Sequence, residues 1–220
     1  ALAIRNYIQE YPSISYILDI HRDSILSGEQ YVNPVTEIGA GAFAGNQKLR
    51  SIVLPASIRT IGDGAFTGMS SNLEFRYCGS YTDWDQMSIG SGNDVLTPYK
   101  LVFDWGKPFS YRIVDNKAQI YWTNDKVETL EIPETIAGFP VTEIVGYAFE
   151  DCHTIRTYKL PDSVTKIGYE AFGIASFDSI YLGSGLRHID MDAFDDARLN
   201  DVYYNGSAED WAKIEIESGN

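Results

Sequence analysis

The sequence has few residues that could form disulfide bonds, since only 2 of its 220 residues are cysteine. Two cysteines cannot form a disulfide framework for a chain of this length, so stability must come from an apolar core. Cys152 falls three residues after Phe149, where related segments carry other uncharged residues, and we interpret it as a buried packing position. Those residues are Asn46, Met69, Ala175 and Ala197. Cys78 occupies a different place in its own segment, so no bridge is expected.

Histidine is equally scarce, and none of the 3 histidines has a cysteine or another histidine at metal-site spacing. The hydrolase motif Gly-x-Ser-x-Gly does not occur. The densest carboxylate cluster lacks the glycine and terminal glutamate of a calcium loop, so we interpret it as a solvated turn. Its members are Asp190, Asp192, Asp195 and Asp196. The sequence therefore predicts no catalytic residue, no cofactor site and no metal site, and we expect a protein that is not an enzyme.

Positive charge is also in short supply, with 17 Lys and Arg against 31 Asp and Glu and a formal net charge of -14. Such a surface repels phosphate backbones and anionic lipids, which excludes nucleic acid and acidic membranes as expected partners. No apolar run is long enough for a transmembrane helix, so no membrane insertion is expected in this segment. The chain begins at Ala1 without a secretory segment, as we expect of a processed or truncated chain.

What the sequence does contain is a repeat, apolar-x-x-Ile-x-x-x-Ala-Phe, which occurs five times. The copies end at Phe43, Phe66, Phe149, Phe172 and Phe194. Adjacent copies within each half are 22 or 23 residues apart, a period typical of leucine-rich solenoids. Two residues before the Phe, the copies carry Gly41, Gly64, Tyr147, Glu170 and Asp192. Because glycine is not required there, we interpret the Gly-rich run 39–45 as a turn and not as a phosphate-binding loop.

A second piece, apolar-x-x-apolar-x-apolar, lies between these copies and predicts short strands. It occupies residues 49–54, 127–132, 155–160, 177–182 and 199–204. Its last two apolar residues alternate with a single residue between them, so a strand that buries the pair turns the intervening residue outward. Each copy is too short to bury its apolar face alone, which predicts an α/β leucine-rich repeat solenoid of short, stacked, parallel strands.

The outward positions of these strands are the candidate partner-binding residues. They are Arg76, Glu131, Lys159, Tyr181 and Tyr203, and we expect Ser51 and Val53 on the same sheet face. Tyr181 and Tyr203 are 22 residues apart, so we expect them to be neighbours in the ladder. Trp105 and Trp122 are further candidates, because neither has a counterpart in the first half. They either pack where the two halves join or offer a stacking platform to a carbohydrate.

Two similar closing segments, residues 75–85 and 202–212, divide the chain into related half-arrays. In both, a Tyr and a Trp are seven positions apart, as in Tyr204 and Trp211. We predict a first domain, 1–94, with a terminal cap that includes a short helix at 2–9, the first array and its closing Trp segment. The second domain, 95–220, combines a linker or crossover at 95–108, a β-hairpin with its tip at 115–117 and the second array. We expect the hairpin to give the first repeat of this array a sheet on which to rest. Ser207 is predicted to cap a short helix in the last closing segment, and we expect the Trp of that segment to cover the end of the apolar core.

The motif Leu-Pro-x-Ser-Val/Ile-x-x-Ile-Gly-x-x-Ala-Phe, at 54–66 and 160–172, resembles the repeat of the BspA-like leucine-rich repeat family. The entry at Ile132 to Ile144 and the Tyr-x-Gly-Ser…Trp closures are similar to segments that accompany such repeats. The resemblance covers roughly residues 35–94 and 111–217. Three copies depart from the pattern, at Val145, Gly183 and Asp190, so we expect different local turns there.

This resemblance implies a secreted or cell-surface bacterial protein whose repeats adhere to host proteins or to other cells. It implies no catalytic residues. We therefore expect a non-enzymatic binding or adhesion module that uses one solenoid face to contact a host or cell-surface protein, with signal and anchor outside this segment. The alternatives are a structural spacer that displays other domains and a glycan-binding module.

Overall fold

The computed structural model describes the backbone of residues 17–19 and residues 35–97, 101–123 and 127–220. The helix predicted at 2–9 lies outside the described residues. The chain separates into two compact units, 1–105 and 106–220. Each unit is a β-solenoid with short helices, which confirms the predicted leucine-rich repeat architecture. No helix in the described part of the chain is long and apolar enough to cross a membrane.

The first unit consists of two parallel sheets. Its strands are β1 Ile17–Asp19, β2 Glu37–Ile38, β3 Ser51–Leu54, β4 Thr60–Ile61, β5 Glu74–Tyr77, β6 Ser88–Ile89 and β7 Leu101–Val102, with helix α1 Tyr81–Asp85 before β6. One sheet has the order β1-β3-β5-β7 and the other β2-β4-β6, so each turn of the solenoid gives one strand to each sheet. Strand β7 lies within the predicted linker 95–108 and extends the first sheet by pairing with β5.

The second unit repeats this plan and adds a hairpin. Its strands are β8 Phe109–Val114, β9 Lys117–Thr123, β10 Thr129–Glu131, β11 Thr135–Ile136, β12 Phe139–Ile144, β13 Thr157–Lys159, β14 Lys166–Ile167, β15 Ser179–Leu182, β16 His188–Ile189, β17 Asp201–Tyr204 and β18 Glu215–Ile216, with helix α2 Ala208–Trp211 before β18. One sheet has the order β10-β13-β15-β17. The other has the order β18-β16-β14-β12-β9-β8, and β11 pairs with β12.

The predicted hairpin forms between β8 and β9, which pair antiparallel. Asp115 and Asn116 at its tip both have positive φ, at 49° and 58°, as a two-residue hairpin turn requires. Strand β9 then pairs parallel with β12, so that Ile120 lies beside Ile144. The hairpin therefore gives the first repeat of the second unit a sheet edge on which to build, as the sequence predicts.

The repeated Phe residues stack through the core of each unit. The Phe43 and Phe66 rings are 5.2 Å apart in the first unit. In the second, Phe172 lies 5.1 Å from Phe149 and 5.0 Å from Phe194. This stacking follows from the constant period, because a residue that recurs every turn lies above its own copy. Cys152 is buried as predicted, and no disulfide joins Cys152 to Cys78.

The turn around each Ala-Phe pair has two residues with positive φ, one two positions before the Phe and one two positions after it. Those before it are Gly41, Gly64, Tyr147, Glu170 and Asp192, and those after it are Gly45, Gly68, Asp151, Ile174 and Asp196. A Cβ built on Gly41 would meet no atom within 4 Å, so glycine serves the turn there and not a close approach. The turn interpretation of residues 39–45 is therefore confirmed.

Ile174 is the exception among these turn residues. Its φ is 59°, and it is the only β-branched residue with positive φ in the described part of the chain. Branching at Cβ makes this conformation a genuine outlier, at a cost of order 1–3 kcal/mol. Its side chain is nevertheless 50% exposed, so burial of the side chain does not compensate for the strain.

The closing segments form the two helices. The side chain of Ser207 accepts a hydrogen bond from the Asp210 N–H at the start of α2, which confirms the predicted N-cap. Trp84 is buried, and its ring lies 6.4 Å from that of Phe103, which follows β7. Trp211 packs on Tyr204 at 5.3 Å but is 36% exposed. The predicted cover over the end of the core is therefore complete in the first unit and partial in the second.

Candidate binding face

The predicted outward residues of the second unit form one continuous row across its four-stranded sheet. Glu131 in β10 pairs with Lys159 in β13, Lys159 with Tyr181 in β15, and Tyr181 with Tyr203 in β17. All four are exposed. Their strand neighbours Leu130, Tyr158 and Ile180 are buried, whereas Val202, beside Tyr203 in the last strand of the sheet, is 50% exposed. We call the four outward residues the tyrosine row.

The two tyrosines of the row stack on each other. Their ring centroids are 4.6 Å apart and the ring planes differ by 16°. Tyr181 is 43% exposed and Tyr203 is 46% exposed, so each ring offers an apolar edge and a hydroxyl to solvent. Beside them, Lys159 Nζ lies 3.2 Å from Glu131 Oε2. The row therefore places an aromatic patch next to an exposed ion pair, whose contribution to folding is small.

The corresponding row of the first unit is not an open surface. Arg76 lies between Val53 and Val102 in the register of the sheet, and both valines are buried. Ser51 is buried too, so the prediction that Ser51 and Val53 face outward is wrong. The Arg76 guanidinium is 3.0 Å from a Glu74 carboxylate oxygen and stacks 4.1 Å above the Trp105 ring. Arg76 and Trp105 therefore stabilise each other locally, and neither side chain is as exposed as those of Tyr181 and Tyr203.

Trp122 lies in β9, on the hairpin strand, and is half-buried. Trp105 is also half-buried, and its backbone N–H donates to the Tyr77 carbonyl 3.1 Å away. The structure therefore places Trp105 in the first unit and Trp122 in the second, and neither belongs to the tyrosine row. The row itself contains four of the seven candidate residues.

A second cluster, for which the sequence predicts no site, surrounds His188. Its Nε2 lies 2.7 Å from an Asp190 oxygen and 3.2 Å from a Glu217 oxygen, and its Nδ1 lies 3.2 Å from Glu215. His188, Asp190 and Glu217 offer ligand atoms within 4.8 Å of one another, a set that can hold a divalent cation. Lys166 Nζ, 2.9 Å from the other Asp190 oxygen, already supplies positive charge, so we interpret the group as an ion-paired cluster.

Periodicity offered only a partial signal for this cluster. His188 in β16 pairs with Glu215 in β18, so the two residues occupy the same position in neighbouring turns, as the stacked Phe residues do. Residues 213–220, however, carry no copy of the repeat pattern, so the sequence gives no register for Glu215 or Glu217.

We expect the His188 cluster to make stability depend on pH. Burial of the imidazole lowers its pKa, but hydrogen bonds to Glu215 and Asp190 outweigh burial and hold the pKa of His188 above its ordinary value of 6.5. A raised pKa in the folded state stabilises the fold fully below pH 6.5 and loses that contribution as pH rises through the raised value.

The measurement is urea unfolding of the parent chain and of His188→Gln at a series of pH values, from below pH 6.5 to alkaline pH. The parent should be more stable than the variant at acidic pH, and the difference should shrink towards alkaline pH. His153→Gln is the control, because His153 is exposed and lies near one carboxylate, that of Asp151. A difference that does not change with pH would contradict the assignment.

Comparison with solved structures gives leucine-rich repeat proteins at low sequence identity. One, from Bacteroides capillosus, is 24% identical over 45% of this chain and 95% of its own, with a TM-score of 0.38. A leucine-rich cell surface protein of Faecalibacterium prausnitzii is 16% identical over 94% and 92% of the two chains, with a TM-score of 0.29. The pneumococcal vaccine antigen PcpA is 22% identical over 76% and 50%, with a TM-score of 0.34.

No curated protein gives a significant sequence match. The family comparison is much stronger. The BspA type leucine-rich repeat region matches in 6 copies, over residues 26–88 and 117–214, which is more than half of the chain. These ranges contain the motifs at 54–66 and 160–172 on which the resemblance was based. The chain therefore belongs to the BspA type leucine-rich repeat family.

Proposed function

We propose that this chain is a non-enzymatic, secreted or cell-surface binding module, and that the tyrosine row of the second unit adheres to a host or cell-surface protein. The observation that carries the proposal is the exposed, stacked pair of Tyr181 and Tyr203. Tyrosine combines a rigid apolar ring with a polar tip, which is why protein-binding surfaces are rich in it. Membership of the BspA type repeat family supports the same location and role.

The stack also lowers the cost of binding. Each ring limits the movement of the other, so little side-chain freedom remains to be lost when a partner covers them. Solenoids offer such rows as extended contact surfaces, because each turn adds one outward residue at a fixed spacing. The row and its sheet therefore form a preorganised strip and not a single pocket.

The charge of the chain favours one kind of partner. At a formal net charge of -14, the chain attracts cationic protein surfaces and repels acidic ones. Within the row, the Glu131 carboxylate is well exposed beside Lys159 and can pair with a basic residue of the partner. We therefore expect a partner surface that is apolar opposite the tyrosines and basic nearby.

The test is surface plasmon resonance of the immobilised 220-residue chain against extracellular-matrix proteins. For a matrix protein that binds, the double variant Tyr181→Ala/Tyr203→Ala should weaken binding at least tenfold, because two central aromatic contacts are removed. The free energy of unfolding should change little, since both side chains are exposed.

Tyr147 and Tyr169 supply the matched control. Their rings are also in contact, at 5.5 Å, and Tyr147 is 50% exposed, but they lie at the Ala-Phe turns and not in the row. Tyr147→Ala/Tyr169→Ala should leave affinity unchanged. Equal losses in both double variants, or none in the first, would contradict the proposal, and binding of no protein would favour a structural spacer.

A further inference from the structure

The arginines of the described chain differ sharply in how they are held. Five donate hydrogen bonds, form an ion pair or stack on a ring: Arg50, Arg59, Arg76, Arg112 and Arg187. Arg156 and Arg198 have no side-chain hydrogen bond, ion pair or ring contact within the described residues, and both are exposed. An exposed guanidinium without an intramolecular partner is available to an anionic ligand.

These two arginines line the same cleft, of about 670 Å³, in the second unit. Three successive turns form it, and each contributes residues that lie just before a strand of the sheet that carries the tyrosine row. The lining residues are His153, Arg156, Ile174, Ser176, Asp196 and Arg198. Ser176 and Arg198 are paired through their backbones, which fixes the spacing of the last two turns. The volume is in the range of sites for small ligands.

Ile174 gives independent support for a function at this cleft. The equivalent turn positions carry glycine or aspartate, and only here does a β-branched residue adopt positive φ within the described ranges. Its side chain is exposed at the cleft, so the strain gains no core packing. Strained residues persist where the surrounding structure and the function require them, and they cluster at ligand sites.

We propose that this cleft is a second binding site, distinct from the tyrosine row, for a small ligand with a single carboxylate, such as an acidic sugar. Arg156 and Arg198 supply guanidinium forks that match a carboxylate. Ile174 contacts an apolar face of the ligand. Ser176 and Asp196 face the cleft with groups that can bond to sugar hydroxyls.

The charge around the cleft favours a ligand with a single anionic group over a polyanionic ligand. Asp196 lines the cleft, and the Asp151 carboxylate lies 3.1 Å from the lining residue His153, so negative charge is also present at the cleft. A nucleic acid or a run of acidic residues would be repelled over its length, whereas one carboxylate meets only the two guanidiniums. This arrangement selects for a ligand that carries one negative charge and several hydroxyls.

The test is isothermal titration of the full chain with N-acetylneuraminic acid and glucuronic acid, and with galactose and inorganic sulfate as comparisons. We expect both sugar acids to bind and galactose and sulfate to bind at least tenfold more weakly. Arg156→Gln/Arg198→Gln should weaken binding of the acids at least tenfold. Arg50→Gln/Arg187→Gln is the control, because those guanidiniums donate to backbone carbonyls, and it should leave affinity unchanged.

The variant Ile174→Gly tests whether Ile174 serves ligand binding or only the structure of the turn. The variant should melt at a temperature higher by about 2–4 °C, since glycine relieves the strain, and should bind the sugar acids several-fold more weakly. Sialyllactose distinguishes a sugar acid at the end of a glycan from a free sugar acid. Tighter binding of sialyllactose than of free N-acetylneuraminic acid would indicate a glycan end, and equal binding would indicate a free acid. No binding of the acids, an equal loss in the control, or a lower melting temperature of Ile174→Gly would overturn the proposal.

Discussion

Phe172→Ala should lower the free energy of unfolding by about 3–5 kcal/mol, the range for emptying a buried aromatic site. The ring is fully buried and lies between Phe149 and Phe194, at 5.1 and 5.0 Å. Tyr158 also contacts it edge-on at 5.1 Å. Removal therefore costs the transfer energy of the ring and leaves a cavity in the middle of the stack, which the turns on either side cannot close.

Urea titration of the variant beside the parent measures this loss. Met191→Ala is the control, because Met191 lies in the next turn but is 43% exposed, and its removal should change the free energy by no more than about 0.5 kcal/mol. Phe66→Ala should reproduce the effect in the first unit, where Phe66 contacts Phe43 and Phe75, each at 5.2 Å. A loss below about 1 kcal/mol for Phe172→Ala would show that the stack does not support the fold.

Gly185→Ala should be the second severe substitution, although it adds only one methyl group. A Cβ at this position would lie 1.8 Å from the Asp162 carbonyl oxygen in the preceding turn. That oxygen belongs to the backbone, so it cannot rotate away as a flexible side chain would. We expect a loss of about 3 kcal/mol, at the upper end of the range for overpacking.

The residues around Gly185 explain why the backbone cannot move aside. The Asp162 carboxylate accepts hydrogen bonds from the Ser184 N–H at 2.7 Å and from the Asn205 amide at 2.9 Å. It therefore ties three turns together, and the Asn205 bond is the main reason that the pKa of Asp162 is lowered. Gly173→Ala is the control, because its Cβ would meet only the Glu170 side chain at 3.3 Å and the Glu170 carbonyl oxygen at 3.4 Å. Thermal unfolding of both variants should show a large loss for Gly185→Ala alone.

The sequence predicts best where the repeat itself sets the geometry. The 22-residue spacing of Tyr181 and Tyr203 matches the strand register, so their pairing and their place on one face follow from the spacing alone. The Phe stack follows in the same way. The departure at Gly183 also has a physical reason, since a Cβ there would lie 2.1 Å from the Pro161 carbonyl oxygen.

The sequence predicts less where contacts depend on more than the period. The first unit buries the face on which Arg76 lies, and apolar Val53 at the neighbouring outward position was a sequence signal for this burial. The state of Arg156 and Arg198 could not be predicted, because a guanidinium with a partner and one without look alike in a sequence. In the structure, Arg50, Arg59 and Arg187 each donate to a backbone carbonyl three residues earlier in the chain, and Arg156 and Arg198 do not.

The register of the second unit also determines the order in which it should fold. Pairing of Thr157 with Ser179 must close a loop of 22 residues, whereas the β8–β9 hairpin joins Val114 to Lys117 across a two-residue tip. Loop closure costs more entropy as loops lengthen, so the hairpin should form first. Each later turn then adds to an edge already in place, and folding of this unit should proceed by elongation from the hairpin towards β18.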